Sequence, residues 1–302
     1  MVPADTSSKT ACIKHESKHN PNCGEDDSMS DRIVYKPSLL YLRNLIDLEM
    51  QCFPDEPMNE EAFSAIIGNE FWISLSGSRL NGYGYLKVTP ELAWIARVGV
   101  ANEHRNKGIG ARLMEAMLRR CQELPRNNVI LYVQQDNPAA IHLYRKFNFN
   151  NAEESFQYIV EKNWFDRHRD CIKEQELKVS PIVDVPEQMM PVFSDQWYTL
   201  ADLHDPPKTH VFVFLHDTLG SIGWCRLNPE FPGCFPFELD SPSTMLSSAL
   251  RALEPYLSRN HTILKLTFAD PMVARACTAL GFRLNYRLYK MIRTSPDNPV
   301  EL

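Results

Sequence analysis

From Arg32 onward the chain switches between two hydrophobic periods. DRIVYKPS alternates apolar and polar residues as a short strand does, and LRNLIDLEMQC then carries apolar residues at helical spacing. CFPDEPMNEE interrupts that helix before a second one, EEAFSAII. FWISLSG, NGYGYLKVTP and LAWIARVGV read as three successive strands with turn residues between them. GIGARLMEAMLRRCQEL is a strongly amphipathic helix, NNVILYVQQ a buried strand, NPAAIHLYRKF a helix and ESFQYIVEK a closing strand. The order predicts a mixed α/β fold of the α+β kind with a mixed sheet, and residues 32–162 are enough for one domain. Residues 1–31 differ in texture. They are rich in Ser, Asn, Asp and Lys and hold no aromatic residue, so they are expected to form a flexible tail.

The second half repeats the first. FWISLSGSRLNGYGYLKVTPE, from Phe71, aligns without a gap with HVFVFLHDTLGSIGWCRLNPE, from His210, at an offset of 139 residues. NVILYVQQDNPAAIHLYRKFNF aligns with HTILKLTFADPMVARACTALGF at an offset of 133, so six residues are missing between the blocks in the second half. Two tandem copies of one domain are expected, the second over residues 177–302. The charged stretch around KNWFDRHRDCIKEQ, about residues 163–176, is expected to be the linker, with Arg167, His168 and Arg169 on a solvated face.

Composition narrows the class. Hydrophobic residues make up 44% and charged residues 23%, and the net charge is −6. That balance suits a globular protein of the cytoplasm and argues against a nucleic-acid partner. No apolar run approaches a membrane span, and the start of the chain lacks a signal-peptide core, so no membrane partner is expected. The eight cysteines are scattered, with no CxxC pair, and read as reduced thiols. Cys12, His15, His19 and Cys23 have a spacing open to zinc, but no apolar framework surrounds them; an unstructured tail is the reading, with no metal site.

The chemistry concentrates in LAWIARVGVANEHRNKGIGARLM. A strand ends at Val100, the loop holds Arg105, Asn106, Lys107, Gly108, Ile109 and Gly110, and a helix opens near Ala111. Glycines let consecutive N–H groups face outward, and a helix N-terminus adds partial positive charge, which together suit a diphosphate. A plain structural turn shares the same Gly-x-Gly, and neither the Walker loop nor the three-glycine dinucleotide pattern is present.

Arg-x-x-Gly-x-Gly after Val98-Gly99-Val100, followed by Asn137-Pro-Ala-Ala-x-x-Leu-Tyr144 and Phe147-Asn148-Phe149, resembles the GNAT superfamily of acetyl-CoA-dependent N-acetyltransferases. The resemblance spans residues 32–162 and extends more faintly over 177–293. Within the superfamily it is most similar to the ribosomal-protein N-terminal acetyltransferase type. It implies that Val98, Gly99 and Val100 pair with the pantetheine arm beside a bulge that splays two strands. It implies that the amides from Arg105 to Ala111 hold the pyrophosphate, that Asn137 lies near the cofactor arm, and that Tyr144 protonates the departing thiolate. Acetyl would then pass directly to an amine of a protein or small molecule, with acetyl-CoA as co-substrate and no metal. A non-catalytic acetyl-CoA-binding sensor or scaffold is the alternative.

Two positions depart from the family pattern. Asn148 stands where the family has glycine, a mild change because Asn tolerates left-handed backbone. Tyr132 stands where ribosomal-protein-type enzymes carry a glutamate, and Glu91 is repeated by Glu230 in the half that looks inactive, so Glu91 reads as structural and the general base is unassigned. In the second copy Tyr144 aligns with Cys277 and Asn137 with Asp270, and GCFPFELDSPSTML, with Glu238 and Asp240, replaces the glycine loop. Trp72, Tyr85, Trp94, Met114, Met117 and Cys121 read as core, and His142 as surface.

Overall fold

In a computed structural model of the protein, the described residues are 31–88, 92–124, 128–168, 177–181, 211–217, 220–228, 233–257 and 262–294. The tail with Cys12, His15, His19 and Cys23, together with Glu91, Arg169 and Glu230, lies outside them.

The first half runs β1 (Arg32–Tyr35), α1 (Leu42–Cys52), α2 (Glu60–Ile66), β2 (Phe71–Ser76), β3 (Arg79–Val88) and β4 (Leu92–Val100). It continues with α3 (Ile109–Gln122), β5 (Asn128–Gln134), α4 (Pro138–Lys146) and β6 (Asn150–Glu161). After the short helix α5 (Lys162–Arg167), the second half gives β7 (Lys178–Pro181), β8 (Val211–His216), β9 (Ser221–Asn228) and β10 (Gly233–Leu239). It ends with α6 (Pro242–Leu253), β11 (Ile263–Phe268), α7 (Pro271–Ala279) and β12 (Arg283–Thr294). The internal repeat is carried into the fold. Shifting α4 by 133 positions gives the bounds of α7, and the same shift turns β6 into β12.

Among the described residues twelve strands form one sheet in the order β1-β2-β3-β4-β5-β12-β6-β11-β10-β9-β8-β7. The two halves exchange their last strands at its centre. β12 pairs antiparallel with β5, from Leu288 opposite Gln134 to Thr294 opposite Asn128. β6 pairs antiparallel with β11, from Ile263 opposite Glu161 to Phe268 opposite Phe156. β6 and β12 also pair with each other, so each half is completed by a strand of the other.

One sheet face of the first half is covered by α3 and α4. Leu113, Met114, Met117, Cys121 and Phe149 are buried there with Trp72. α1 and α2 cover the opposite face of β2 and β3 through Leu45, Phe63, Phe71 and Tyr83. Farther along that face, Leu92 and Ile130 bury against Phe214 and Trp224 of the second half, with Trp94, Tyr132 and Phe235 packed around them.

The stretch expected to be a charged linker is in part core. Its first residues form α5, whose Trp164 and Phe165 are buried with Phe237, Leu250 and Val273. His168 also turns inward, its ring stacked 4.8 Å from the Trp164 indole. The two aromatic residues override the surrounding charges because burying each removes a large apolar area from water.

Candidate active site

β4 and β5 run parallel, and their pairing covers only Leu92–Ile95 against Asn128–Leu131. The separation has a local cause in β4. Tyr85 lies opposite Arg97 while Leu86 lies opposite Ile95, so Ala96 is an extra residue that bulges the strand. Beyond it, Arg97 to Val100 leave β5 behind and one backbone edge of β4 faces a gap. This is where the sequence placed Val98, Gly99 and Val100. Val98 and Val100 lean toward the α3–α4 core. Gly99 is held by sterics on the other side: a Cβ there would sit 2.5 Å from Tyr83 Cε1 and 3.2 Å from Cys52 Sγ.

A short 3-10 turn over Asn102–His104 leads into the glycine loop. Asn106 and Gly108 both have positive φ, 62° and 79°, which folds the backbone so that α3 starts abruptly. Gly108 caps α3 without a side-chain acceptor, and the first intrahelical bond runs from Arg112 N–H to the Gly108 carbonyl at 3.0 Å. The N–H groups of Ile109, Gly110 and Ala111 therefore precede the helix's own ladder, as first-turn amides do. Arg105, Asn106, Lys107 and Gly108 are exposed around them, whereas the Ile109 side chain is buried in the core. Arg105 folds its Nε onto the Val100 carbonyl at 3.2 Å. A Cβ on Gly110 would meet Leu143 Cδ2 at 3.2 Å, so this glycine also lets α4 approach α3.

Tyr144 lies on α4 under the same region. It is 9% exposed, edge-on to Phe149, and burial pushes its phenol up to about 12. At neutral pH it is a protonated donor. Asn137, exposed at the start of α4, accepts the Ala140 N–H at 3.1 Å and thereby caps the helix that carries Tyr144. Cys121, which the sequence read as core, is pushed up to about 12 by burial and holds no thiolate. His142 is exposed and Asn148 is left-handed at φ 64°, as their residue types suggested.

The opposite side of the gap carries residues that the motif did not point to. Glu49 of α1 is fully buried. It accepts the Tyr83 hydroxyl and, at 3.0 Å, the Met58 N–H, and Arg97 stands 3.7 Å away. Arg97 stacks on the Phe53 ring at 4.2 Å and donates to the Glu56 carbonyl at 2.9 Å. Glu49 is thus committed to anchoring the α1–α2 connection. A charged residue within the apolar strand LAWIARVGV was the available signal for Arg97.

The second half repeats the splay without the cradle. β10 pairs with β11 only at Gly233 and Cys234, and its register against β9 shifts between Cys234 and Phe237. Only Asp240 and Ser241 then separate β10 from α6, where the first half has residues 101–108. Pro242 opens the helix without an N–H, and the Thr244 and Met245 amides bond back to the Ser241 carbonyl. Cys277, at the Tyr144 position, is fully buried and pushed up to about 12.

Residues 40–149 match the model of the acetyltransferase (GNAT) family. A mycothiol acetyltransferase from Corynebacterium aurimucosum is 36% identical over 83 residues, which cover 26% of this chain and 27% of that protein. One from Saccharomonospora viridis is 41% identical over 89 residues, covering 26% and 29%. The match thus spans about a quarter of the curated relatives' length. A tandem GNAT protein from the clavulanic acid biosynthesis pathway superposes with a TM-score of 0.58 at 15% identity, over 90% of this chain and 100% of that one. A GCN5-related N-acetyltransferase from Sphaerobacter thermophilus gives 0.58 at 14% identity, over 87% and 95%. At these identities the structural likeness bears on the fold alone, and the fold is that of a tandem GNAT. Among the described residues no helix is long and apolar enough to cross a membrane, and none of their His, Cys, Asp or Glu side chains group as a metal site.

Proposed function

We propose that this chain, whose residues 40–149 are a GNAT acetyltransferase domain, transfers acetyl from acetyl-CoA to a primary amine within its first half. The observation that carries the proposal is the continuity of three features: the β4–β5 gap opened at Ala96, the first-turn amides of α3 at one end of it, and the buried neutral Tyr144 beneath it. The diphosphate rests on the amides of Gly108 to Ala111, with Lys107 at the rim. The pantetheine arm lies along the free edge of β4 from Val100 toward Arg97, as an added strand would. Asn137 acts through α4, holding the first turn of the helix that bears Tyr144.

In the reaction a neutral amine attacks the thioester carbonyl carbon. The C–N bond forms, the C–S bond breaks, and the leaving sulfur takes the Tyr144 hydroxyl proton, while the amine's surplus proton passes to solvent, from which the Tyr144 phenolate takes up a proton again. The units taken as residues 32–162 and 177–302 work as one body, because each completes the other's sheet.

The test is release of CoA thiol from acetyl-CoA with four amines: glucosamine, spermidine, the peptide Ser-Ala-Gly and cyclohexylamine. Amine-dependent release that falls in the Tyr144→Phe variant supports transfer. Acetyl-CoA binding with no release for any amine would select the non-catalytic binding protein instead.

A further inference from the structure

A diphosphate cradle works only if its peptides face the right way. A trans peptide is planar, with C=O and N–H pointing in opposite directions, so a carbonyl held on one side of a loop turns the N–H of the same peptide to the other. The Lys107 carbonyl shares a peptide with the Gly108 N–H, and the Gly108 carbonyl shares one with the Ile109 N–H. Arg112 takes both carbonyls. Its backbone N–H donates to the Gly108 carbonyl at 3.0 Å, and its Nη1 reaches back to the Lys107 carbonyl at 3.4 Å. The Gly108 and Ile109 N–H groups therefore face away from Arg112.

A long side chain folded back over its own helix cap must be held there against its rotamer freedom. Asp31, the residue before β1, holds it. Arg112 Nη2 donates to Asp31 Oδ2 at 2.5 Å, with the two side chains 36% and 21% exposed. Asn81 Nδ2 donates to Asp31 Oδ1 at 2.7 Å, so both carboxylate oxygens are engaged. Asn81 is fully buried and is the extra residue of a bulge in β3: Gly82 lies opposite Ser74, while Leu80 lies opposite Leu75. The Asn81 carbonyl also accepts the Ala101 N–H at 3.0 Å. One buried residue thus grips both ends of the passage 101–108, its start through the backbone and its end through Asp31 and Arg112.

Packing alone does not call for this arrangement. Asn81 Oδ1 and Arg112 Nε are buried and make no hydrogen bond among the described residues, a cost that apolar side chains in their place would not carry. In the second half, which lacks a cradle, the helix cap is Ser241, and Met245 stands four residues on, where the first half has Arg112. There the Thr244 hydroxyl, rather than a guanidinium, donates to the cap carbonyl at 3.0 Å.

We propose that Asp31, with Asn81 behind it, is a positioning residue for diphosphate binding: it fixes Arg112 so that the Gly108 and Ile109 N–H groups are aimed before the anion arrives. An acidic residue thereby strengthens the binding of an anion. Direct Coulomb interaction has the opposite sign, since a carboxylate near a diphosphate repels it. The inference rests on the acetyl-CoA reading above.

The test is titration calorimetry of the full chain with acetyl-CoA, for wild type, Asp31→Asn and Arg112→Lys. S-acetylpantetheine, which lacks the diphosphate, serves as a second acetyl donor in the thiol-release assay. Asp31→Asn should weaken acetyl-CoA binding about tenfold, the worth of one charge-assisted hydrogen bond. Arg112→Lys keeps the positive charge but not the fork that spans Asp31 and the Lys107 carbonyl, and should weaken binding to a similar degree. Asp31→Glu, which retains the carboxylate, should bind more tightly than Asp31→Asn. The loss should appear in KM for acetyl-CoA and not in kcat, and kcat/KM for S-acetylpantetheine should stay within about twofold of wild type. Equal or tighter acetyl-CoA binding by Asp31→Asn, wild-type affinity in Arg112→Lys, or an equal loss with S-acetylpantetheine overturns the proposal. Wild type that binds no acetyl-CoA overturns the reading beneath it. Binding without turnover overturns transfer alone and leaves the titration to decide the role of Asp31.

Discussion

Tyr144 and Cys277 occupy the same place on equivalent helices, 133 positions apart, and both are buried, with pKa values pushed up to about 12 by burial. What differs between the halves is what lies above them. Over Tyr144 the chain takes residues 101–108 to pass from β4 to α3; over Cys277 it passes from β10 to α6 through Asp240 and Ser241. That longer, glycine-bearing path is why acetyl transfer is proposed for the first half.

Replacing Tyr144 by Phe keeps the ring packed against Phe149 and removes only the hydroxyl. Acetyl-CoA affinity should be retained while turnover falls by about 10²-fold, in the usual range for a general acid. Thiol release under saturating acetyl-CoA measures it. Turnover equal to wild type would remove Tyr144 from the reaction.

The pH dependence follows from the direction of the Tyr144 shift. Burial favours the neutral phenol, so the proton is retained through the ordinary titration range near 10 and is lost only as pH rises toward about 12. The kcat/KM profile should climb as the acceptor amine deprotonates and show no fall from Tyr144 below about pH 11. Tyr144→Phe should give the same climb at a lower plateau. A falling limb centred near 10 in wild type that vanishes in the variant would contradict the assigned acidity.

Gly108 sits at φ 79°, where a residue with a Cβ is strained by about 1–2 kcal/mol before any ligand is considered. Gly108→Val should weaken acetyl-CoA binding by more than about tenfold, because the branched side chain both strains the turn and crowds the amides. Circular dichroism should show an intact fold, since little besides Arg112 lies near that position. Unchanged affinity in titration calorimetry would make the loop an ordinary turn.

Strand exchange predicts that the halves melt together. Heating the full chain should give one calorimetric transition, and deleting residues 177–302 removes β12 from between β5 and β6 and leaves both strand edges bare. The shortened chain should lose cooperative melting and solubility. Two well-separated transitions in the full chain would contradict the coupling.

The elements were legible in the sequence because their periods are clean: every strand and helix from DRIVYKPS to ESFQYIVEK lies where its apolar spacing put it. The repeat was legible too, in the two blocks that align at offsets of 139 and 133, which stop just before β6 and β12. Their exchange was not, because both strands alternate alike and neither pattern says which neighbour each will choose. α5 was hidden by the charges around Trp164 and Phe165. At the site, the glycine loop and Tyr144 announce themselves by motif. Glu49 does not, because it meets Tyr83 and Arg97 only through the fold.

The central claim is that one half of this chain, and only one, holds acetyl-CoA. Titration calorimetry of the intact protein with acetyl-CoA addresses it in a single measurement. One molecule should bind per chain, with the heat abolished by Gly108→Val. A stoichiometry of two, or binding that survives that substitution unchanged, would show that the short β10–α6 passage also carries the cofactor and that the cradle has been assigned to the wrong feature.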